Sequence, residues 1–463
     1  MAEEKDELKG YSGRTRQKLH DNNVRVWSTA EVETTKGTFT GIILPRSETA
    51  DNEHVVLKMA TGYNFGLHVD NIISLKELSY KEVQYKIPEK AFPYDSRKKH
   101  VTLLGTGGTI ASRLDYRTGA VIPAFSPGEL YSAVPELADV CNLTTYKLFG
   151  VFSENMGPAQ YKELAVAIGE EIKKGADGII IGHGTDTMHH TSAILTFMVQ
   201  NAPVPIVVVG SQRSSDRPSS DAALNLICAA RTAAYCDIAE VMVCMFGPTS
   251  DKYNLLHSGT RVRKMHSSYR STFRTLSDTP LATVDKEKFE YLKTDYKKRR
   301  EDRNVTIIPE FEEKVSIVYY YPNMMPDIID SLVEKGYKGI VIAGTGLGHV
   351  NKPLYPALKR ANNKGVAVVM TVQTLWGYVQ MYVYETGREM LKLGVIPCEN
   401  MLPEVAYVKL GWVLGQTNDL KKVKEMMMTP IGREITEREP HNGYIVLQGG
   451  VPEVDEMFYR VRK

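Results

Sequence analysis

Two short segments combine glycine with hydroxyl side chains in a way that could support nucleophilic chemistry. Gly105-Thr106-Gly107-Gly108-Thr109-Ile110-Ala111-Ser112 follows the aliphatic run VTLL at 101–104, and His183-Gly184-Thr185-Asp186-Thr187-Met188 follows GIII at 178–181. Glycines at the carboxyl end of a strand allow a sharp turn and leave backbone N–H groups free, at the place where open α/β sheets hold ligands. Two hydroxyls and a carboxylate would then converge on one crevice. A threonine hydroxyl is a weak nucleophile until a neighbouring base takes its proton, and a lysine whose pKa is lowered by burial can do so. Lys264, in GTRVRKMHSS beyond the fourth aliphatic run, is the candidate. By itself it is one lysine among many, and an ordinary solvated side chain is the competing reading.

Other chemistries are excluded by what these segments lack. GTGGTI is not the GxGxxG of a dinucleotide site, and no GxxxxGK[ST] phosphate loop occurs, so the chain has no recognisable ATP site. His183, His189 and His190 lie close together, but not at the spacing of HExxH and with no Cys or Glu among them, so no metal site is read there. Cys141, Cys228, Cys236, Cys244 and Cys398 are odd in number and mostly flanked by aliphatic residues, as reduced packing residues are.

Formal net charge is +2, with 57 basic against 55 acidic residues, so bulk electrostatics favour neither nucleic acid nor membrane. Any nucleic-acid contact would be local. The basic run KKRREDR at 297–303 reads as a solvated face. The charged N-terminus and the absence of any apolar stretch of about 18 residues make cytoplasm the default and no membrane span is expected.

These residues need strands and helices to position them. At 463 residues two to four domains are expected. Residues 24–78 carry short β-branched runs punctuated by Lys36-Gly37, Pro45-Arg46 and Gly62-Tyr63-Asn64, the pattern of a small antiparallel β-barrel. Trp27, Phe39 and Tyr63 are expected in its own core. From Val101 the runs VTLL, GIII, IVVV (206–209) and VMVCM (241–245) fit strands buried on both faces of a parallel sheet. Between them Tyr161, Leu164, Ala165, Ile168 and Ile172 have helical spacing, with Pro158 to start the helix and Gly175 to end it. A second, smaller α/β unit begins near Val315 with SIVYYY, PDIIDSLVEKG, GIVIAG and VAVVM. The domains predicted are 1–85 (β-barrel), 86–98 (linker), 99–310 (larger parallel-sheet α/β) and 311–463 (smaller α/β with a tail).

The pair TGGTIAS at 106–112 and HGTDTM at 183–188 resembles the bacterial-type asparaginase and glutaminase family over roughly residues 99–435. Residue by residue, the resemblance implies an asparaginase-like fold, Thr109 as first-motif nucleophile, and Thr185, Asp186 and Lys264 as a relay. It implies that Ser153, in VFSENMG, binds the substrate α-carboxylate, that Asp186 also holds its α-ammonium, and that Gly108 and Gly184 line the site. Metal and cofactor are not needed. The residue types permit a two-step acyl transfer in which threonine Oγ attacks the amide carbon, backbone N–H groups stabilise the oxyanion, ammonia leaves and water hydrolyses the acyl-threonine.

Simple asparaginases generally lack the β-domain, and their third-strand segment differs from SQRSSDRPSSDAALNL at 211–226. That segment, with GTFTGIILPRS, ATGYNFGLHVDNI, GTGLGHV (344–350) and MYVYETGREMLKLGVIP (381–397), resembles the D-subunit family of archaeal Glu-tRNA(Gln) amidotransferases over nearly the whole chain. This implies a glutaminase acting on glutamine or asparagine, a homodimer whose site is completed by the neighbour through MYVYETGR, and a heterotetramer with a separate E subunit. That partner would bind Glu-tRNA(Gln), use ATP and Mg, and receive the ammonia. Tyr116 is nearest to the family's lid tyrosine, while 117–123 do not match simple asparaginases. A free-standing L-asparaginase and a non-enzymatic binding protein are the rival readings.

Overall fold

The computed structural model describes residues 8, 10–46, 50–61, 63–80, 92–107, 112–115, 120–123, 130, 133–213, 219–248 and 250–440. The chain forms two compact units, one of Met1–Pro88 with Ser112–Ala124, the other of Glu89–Ala111 with Phe125–Lys463.

In the first unit, helix α1 (Gly13–Asp21) precedes five strands, β1 (Ser28–Thr34), β2 (Gly37–Ile43), β3 (His54–Met59), β4 (Asn64–His68) and β5 (Ile72–Tyr80). They form one antiparallel sheet in the order β4-β3-β2-β1-β5. Alternation places Ala30, Val32, Ile43, Val55, Leu57 and Leu75 in one core, as half-buried strands require. Irregular register between Thr29 and Ala30 and between Glu33 and Thr34 marks bulges in the long β1–β5 pair. Trp27 and Phe39 pack partly buried against this core. Tyr63 does not: it directly follows the β3–β4 turn and is 78% exposed, because a turn residue is not held by the strand alternation.

The second unit is α/β. Its larger sheet contains β6 (His100–Gly105), β7 (Asn142–Lys147), β8 (Gly178–Gly182), β9 (Ile206–Val209), β10 (Val241–Phe246), β11 (Asn254–Ser258), β14 (Ala282–Val284) and β15 (Phe289–Tyr291), in the order β7-β6-β8-β9-β10-β11-β14-β15. The first five are parallel, and β11, β14 and β15 extend the sheet antiparallel, so the sheet is mixed. The short pair β12 (Val262–Lys264) and β13 (Phe273–Thr275) stands outside it. The aliphatic runs are buried along β8, β9 and β10, and helices α2 (Pro158–Lys173), α3 (Met188–Met198) and α4 (Ala222–Tyr235) supply the packing layers. Pro158 opens α2 and Gly175, at φ 105°, lies just past its end.

A smaller, all-parallel sheet follows: β16 (Val315–Tyr319), β17 (Gly339–Gly344), β18 (Ala367–Val372) and β19 (Ile396–Pro397), in sequence order. Helix Pro403–Leu414 packs between the two sheets' cores, with Val405, Ala406, Leu410 and Val413 buried in the cluster that also holds Ile179 and Ile206. All five cysteines are buried and free.

Most of the basic run is solvated as its composition suggested, with Lys297, Lys298, Arg300, Glu301 and Asp302 exposed, but Arg299 and Arg303 are partly buried. Arg299 donates to the carbonyls of Cys236, Asp177 and Ala233, Arg303 to that of Ala176, and Arg300 to that of Asn201. These carbonyls lie where helices or strands end and have lost their regular partners, so the guanidiniums serve the fold. Among the described residues no helix is long and apolar enough to cross a membrane.

Candidate active site

Three strand ends of the larger sheet build the crevice. At the first, Thr106 donates to the Gly182 carbonyl through both its backbone N–H (3.0 Å) and its Oγ1 (2.9 Å), tying the end of β6 to the end of β8. Gly107 follows at φ 124°, where a Cβ would stand 2.1 Å from the Val151 carbonyl oxygen. Only glycine permits that approach. It brings the Val151–Ser153 segment against the strand end. Gly108, Thr109, Ala111 and Tyr116 to Gly119 lie outside the described residues.

At the second strand end, Gly184 serves a matching purpose: its missing Cβ would lie 2.8 Å from Cβ and 2.9 Å from Oγ of Ser153. Ser153 is buried, and its carbonyl accepts from Thr187 Oγ1 at 2.6 Å. The structure therefore sets Ser153 directly against the Gly184-Thr185 turn. His183 supports that turn from beneath, with Nδ1 2.6 Å from the Gly184 carbonyl and Nε2 2.8 Å from Thr191 Oγ1. Burial pushes its imidazole pKa down to about 4, and burial also lowers those of His189 and His190. With both ring nitrogens of His183 engaged, it is a packing residue.

Lys264 reaches this point from β12, one antiparallel strand later than the aliphatic runs suggested, because β11 intervenes. Its Nζ donates to Thr185 Oγ1 at 2.9 Å and to Asp186 Oδ1 at 2.7 Å. The lysine side chain is 10% exposed and that of Asp186 68%, so the lysine head is sheltered while the carboxylate faces the open crevice. Thr185, Asp186 and Lys264, up to 79 residues apart in the chain, form one hydrogen-bonded group. Such a group can move a proton between a hydroxyl and an amine, and can hold a cationic ligand on the exposed carboxylate.

The third strand end adds residues to which the sequence assigned no role. Gly210 approaches so closely that a Cβ would stand 2.6 Å from the His183 carbonyl oxygen. Two residues on, Gln212 Oε1 accepts from Thr185 Oγ1 at 3.3 Å. The buried Asp221 carboxylate accepts the N–H groups of Gln212 and Arg213. The available signal was positional: SQR closes IVVV as GTGG closes VTLL.

Comparison with known proteins places this geometry. A family model for the asparaginase N-terminal domain matches residues 100–297, one for the glutaminase/asparaginase C-terminal domain matches 314–427, and one for the GatD N-terminal domain matches 24–78. The D subunit of the glutamyl-tRNA(Gln) amidotransferase from Pyrococcus furiosus is 50% identical over 411 residues, covering 88% of this chain and 93% of that protein. The chain belongs to the amidotransferase D-subunit family. A second member of that family, from Thermococcus kodakarensis, is 52% identical over 401 residues, covering 86% of this chain and 91% of its own. Among solved structures, the thermostable L-asparaginase from Thermococcus kodakarensis is 30% identical with a TM-score of 0.65, and L-asparaginase I from Vibrio cholerae 28% with 0.64; each comparison covers 73% of this chain and 99% of the other. Membership of the D-subunit family and the asparaginase fold agree with the sequence resemblance in both its parts. The D-subunit family is distinguished here by residues 24–78, which lie outside both asparaginase models.

Proposed function

We propose that this chain is the glutaminase subunit of a tRNA-dependent amidotransferase, hydrolysing the side-chain amide of glutamine or asparagine. The ammonia goes to a partner E subunit that converts Glu-tRNA(Gln) to Gln-tRNA(Gln). The observation that carries the reading is the contact of one sheltered lysine with both a threonine hydroxyl and a carboxylate at the carboxyl end of a parallel strand, in a chain whose relatives are named as amidotransferase subunits.

In this reading Thr109 Oγ attacks the amide carbon and Lys264, in its neutral form, takes the proton by way of Thr185. Backbone N–H groups of the Gly108 and Gly184 turns stabilise the oxyanion. Asp186 binds the α-ammonium and Ser153 the α-carboxylate, which the proximity of Ser153 to Gly184 favours. No cofactor is assigned to this chain; ATP and Mg belong to the partner. The functional unit is a homodimer within a heterotetramer. Tyr382, Val383 and Tyr384 of MYVYETGR are exposed on the smaller α/β domain, and an apolar exposed segment of this kind suits contact with a second copy. The first unit serves partner docking, so removing 1–85 leaves glutamine hydrolysis measurable and impairs transfer.

Ammonia release by the chain alone, with the E subunit, and with E subunit plus Glu-tRNA(Gln) tests the proposal. Coupling of about 1–3 kcal/mol corresponds to a several-fold to hundredfold rise in the last mixture. Equal rates in all three, with asparagine the better substrate, would establish a free-standing asparaginase instead.

A further inference from the structure

Asp221 occupies the residue before helix α4, where an aspartate ordinarily turns its carboxylate onto the first N–H groups of its own helix. It makes no such bond. Its fully buried side chain faces backwards, to the turn that ends β9: Gln212 N–H lies 3.1 and 3.0 Å from the two carboxylate oxygens, and Arg213 N–H 3.0 Å from Oδ1. Asn225 Nδ2 donates to Asp221 Oδ2 at 2.8 Å and to the Gly210 carbonyl at 2.9 Å, and Asn254 Nδ2 fixes Asn225 Oδ1 at 2.8 Å. Burial raises the Asp221 pKa while these N–H groups oppose it, so the fold retains a buried carboxyl that contributes nothing to its own helix end.

What this clamp holds in place is Gln212. A hydroxyl has one hydrogen to give and two lone pairs to offer. In the resting arrangement Thr185 Oγ1 gives its hydrogen to Gln212 Oε1 at 3.3 Å and takes one from Lys264 Nζ at 2.9 Å, leaving one lone pair free for the nucleophile's proton; in the relay the Thr185 hydrogen then turns from Gln212 to the neutral Lys264 amine. The direction of that lone pair is fixed only while both neighbours stay where they are. Lys264 is held by its strand and by Asp186; Gln212 is held by the backbone clamp. We propose that Asp221 and Gln212 are positioning residues for the reaction, the carboxylate of Asp221 fixing the Gln212 backbone so that the Gln212 side chain sets the orientation of the Thr185 hydroxyl. This rests on the amidase reading above. It assigns the 211–226 segment, which departs from simple asparaginases, a role in the relay.

The test uses the full-length chain and glutamine-dependent ammonia release, with kcat and KM measured separately and thermal melting as the check on folding. Gln212→Met keeps the length of the side chain and removes its acceptor; it lowers kcat at least tenfold and leaves KM within threefold. Asp221→Asn lowers kcat in the same way, and the double variant is no slower than the slower single variant, since both act through one contact. If Asp221→Asn does not fold, Asn225→Ala takes its place, with a kcat loss that vanishes in the Gln212→Met background. A Gln212→Met enzyme with kcat within twofold of wild type overturns the inference, and so does a double variant whose loss is the product of the two single losses. A wild-type chain that releases ammonia from neither amide, alone or with its partner and tRNA, overturns the amidase reading itself and the inference with it.

Discussion

Replacing Lys409 with methionine removes one half of a fully buried ion pair. Lys409 Nζ donates to Glu434 Oε1 at 2.6 Å and to the carbonyls of Met427 and Thr429 at 2.9 and 2.8 Å, with both charged side chains at 0% exposure. Glu434 keeps the N–H groups of Ile431 and Gly432 but loses the one cation in direct contact with its carboxylate among the described residues. Breaking such a pair from one side costs about 3–5 kcal/mol, because the remaining charge is stranded in a medium that solvates it poorly. With roughly 2 cal/mol/K of unfolding entropy per residue, a cooperative unit of roughly 350 residues converts a loss of ~4 kcal/mol into a fall in Tm of about 5 °C. The site lies three residues from this anchor: Arg261 donates to the carbonyls of Arg433 and Glu434 and precedes Lys264 on the same stretch of chain. Below the melting range Lys409→Met therefore retains glutaminase activity within about threefold, since Lys264 is held independently by Thr185 and Asp186. Calorimetry of Lys409→Met and of the double variant Lys409→Met/Glu434→Gln reads the effect, and the second change, by removing the stranded charge, restores at least half the lost Tm. A single variant melting within 1 °C of wild type, or a double variant melting lower than the single one, would refute the argument.

Thr185→Ala, Lys264→Met and Asp186→Asn each remove at least 99% of ammonia release while melting like wild type, and combining two of them costs little more than the worse one; an active Thr185→Ala enzyme would end the relay assignment. Gly184→Ala drives a Cβ into Ser153 and raises KM at least tenfold with kcat less affected, as steady-state kinetics on glutamine will show. Acid destabilises the fold through its buried histidines. The pKa values of His183 and His190 are held down to about 4 and that of His257 to about 3, so below pH 6.5 the unfolded chain binds protons that the folded chain does not. Stability falls as pH drops from 6.5 towards 4, by at most about 3 kcal/mol per ring, and melting temperatures recorded from pH 7.5 to 4.5 would be flat if these rings were not neutral in the fold.

The local elements were legible because their signals are local. VTLL, GIII, IVVV and VMVCM are buried strands, and Pro158 and Gly175 bracket a helix whose apolar face is the one the spacing described. Binary pattern and backbone constraint act within a few residues, so sequence alone carries them. The two glycine-hydroxyl turns were legible for the same reason, and through them the family. What the chain order could not express is which distant side chains share a point in space. Lys264 is singled out from other lysines only by the register of β12 against β13, which brings Nζ to Thr185 and Asp186. Gln212 becomes part of the site only because Asp221, nine residues on, turns away from its own helix to clamp the turn. Arg299 and Arg303 look solvated in a run of charges, yet tertiary packing spends them on carbonyls more than a hundred residues away or at the end of α4. Tyr63 has the composition of a core residue but sits at a turn, beyond the reach of strand alternation. Hydrophobic patterning fixes elements within the chain's own neighbourhood; the partners of a polar side chain depend on the angle and register at which those elements pack, and these exist only in the folded molecule.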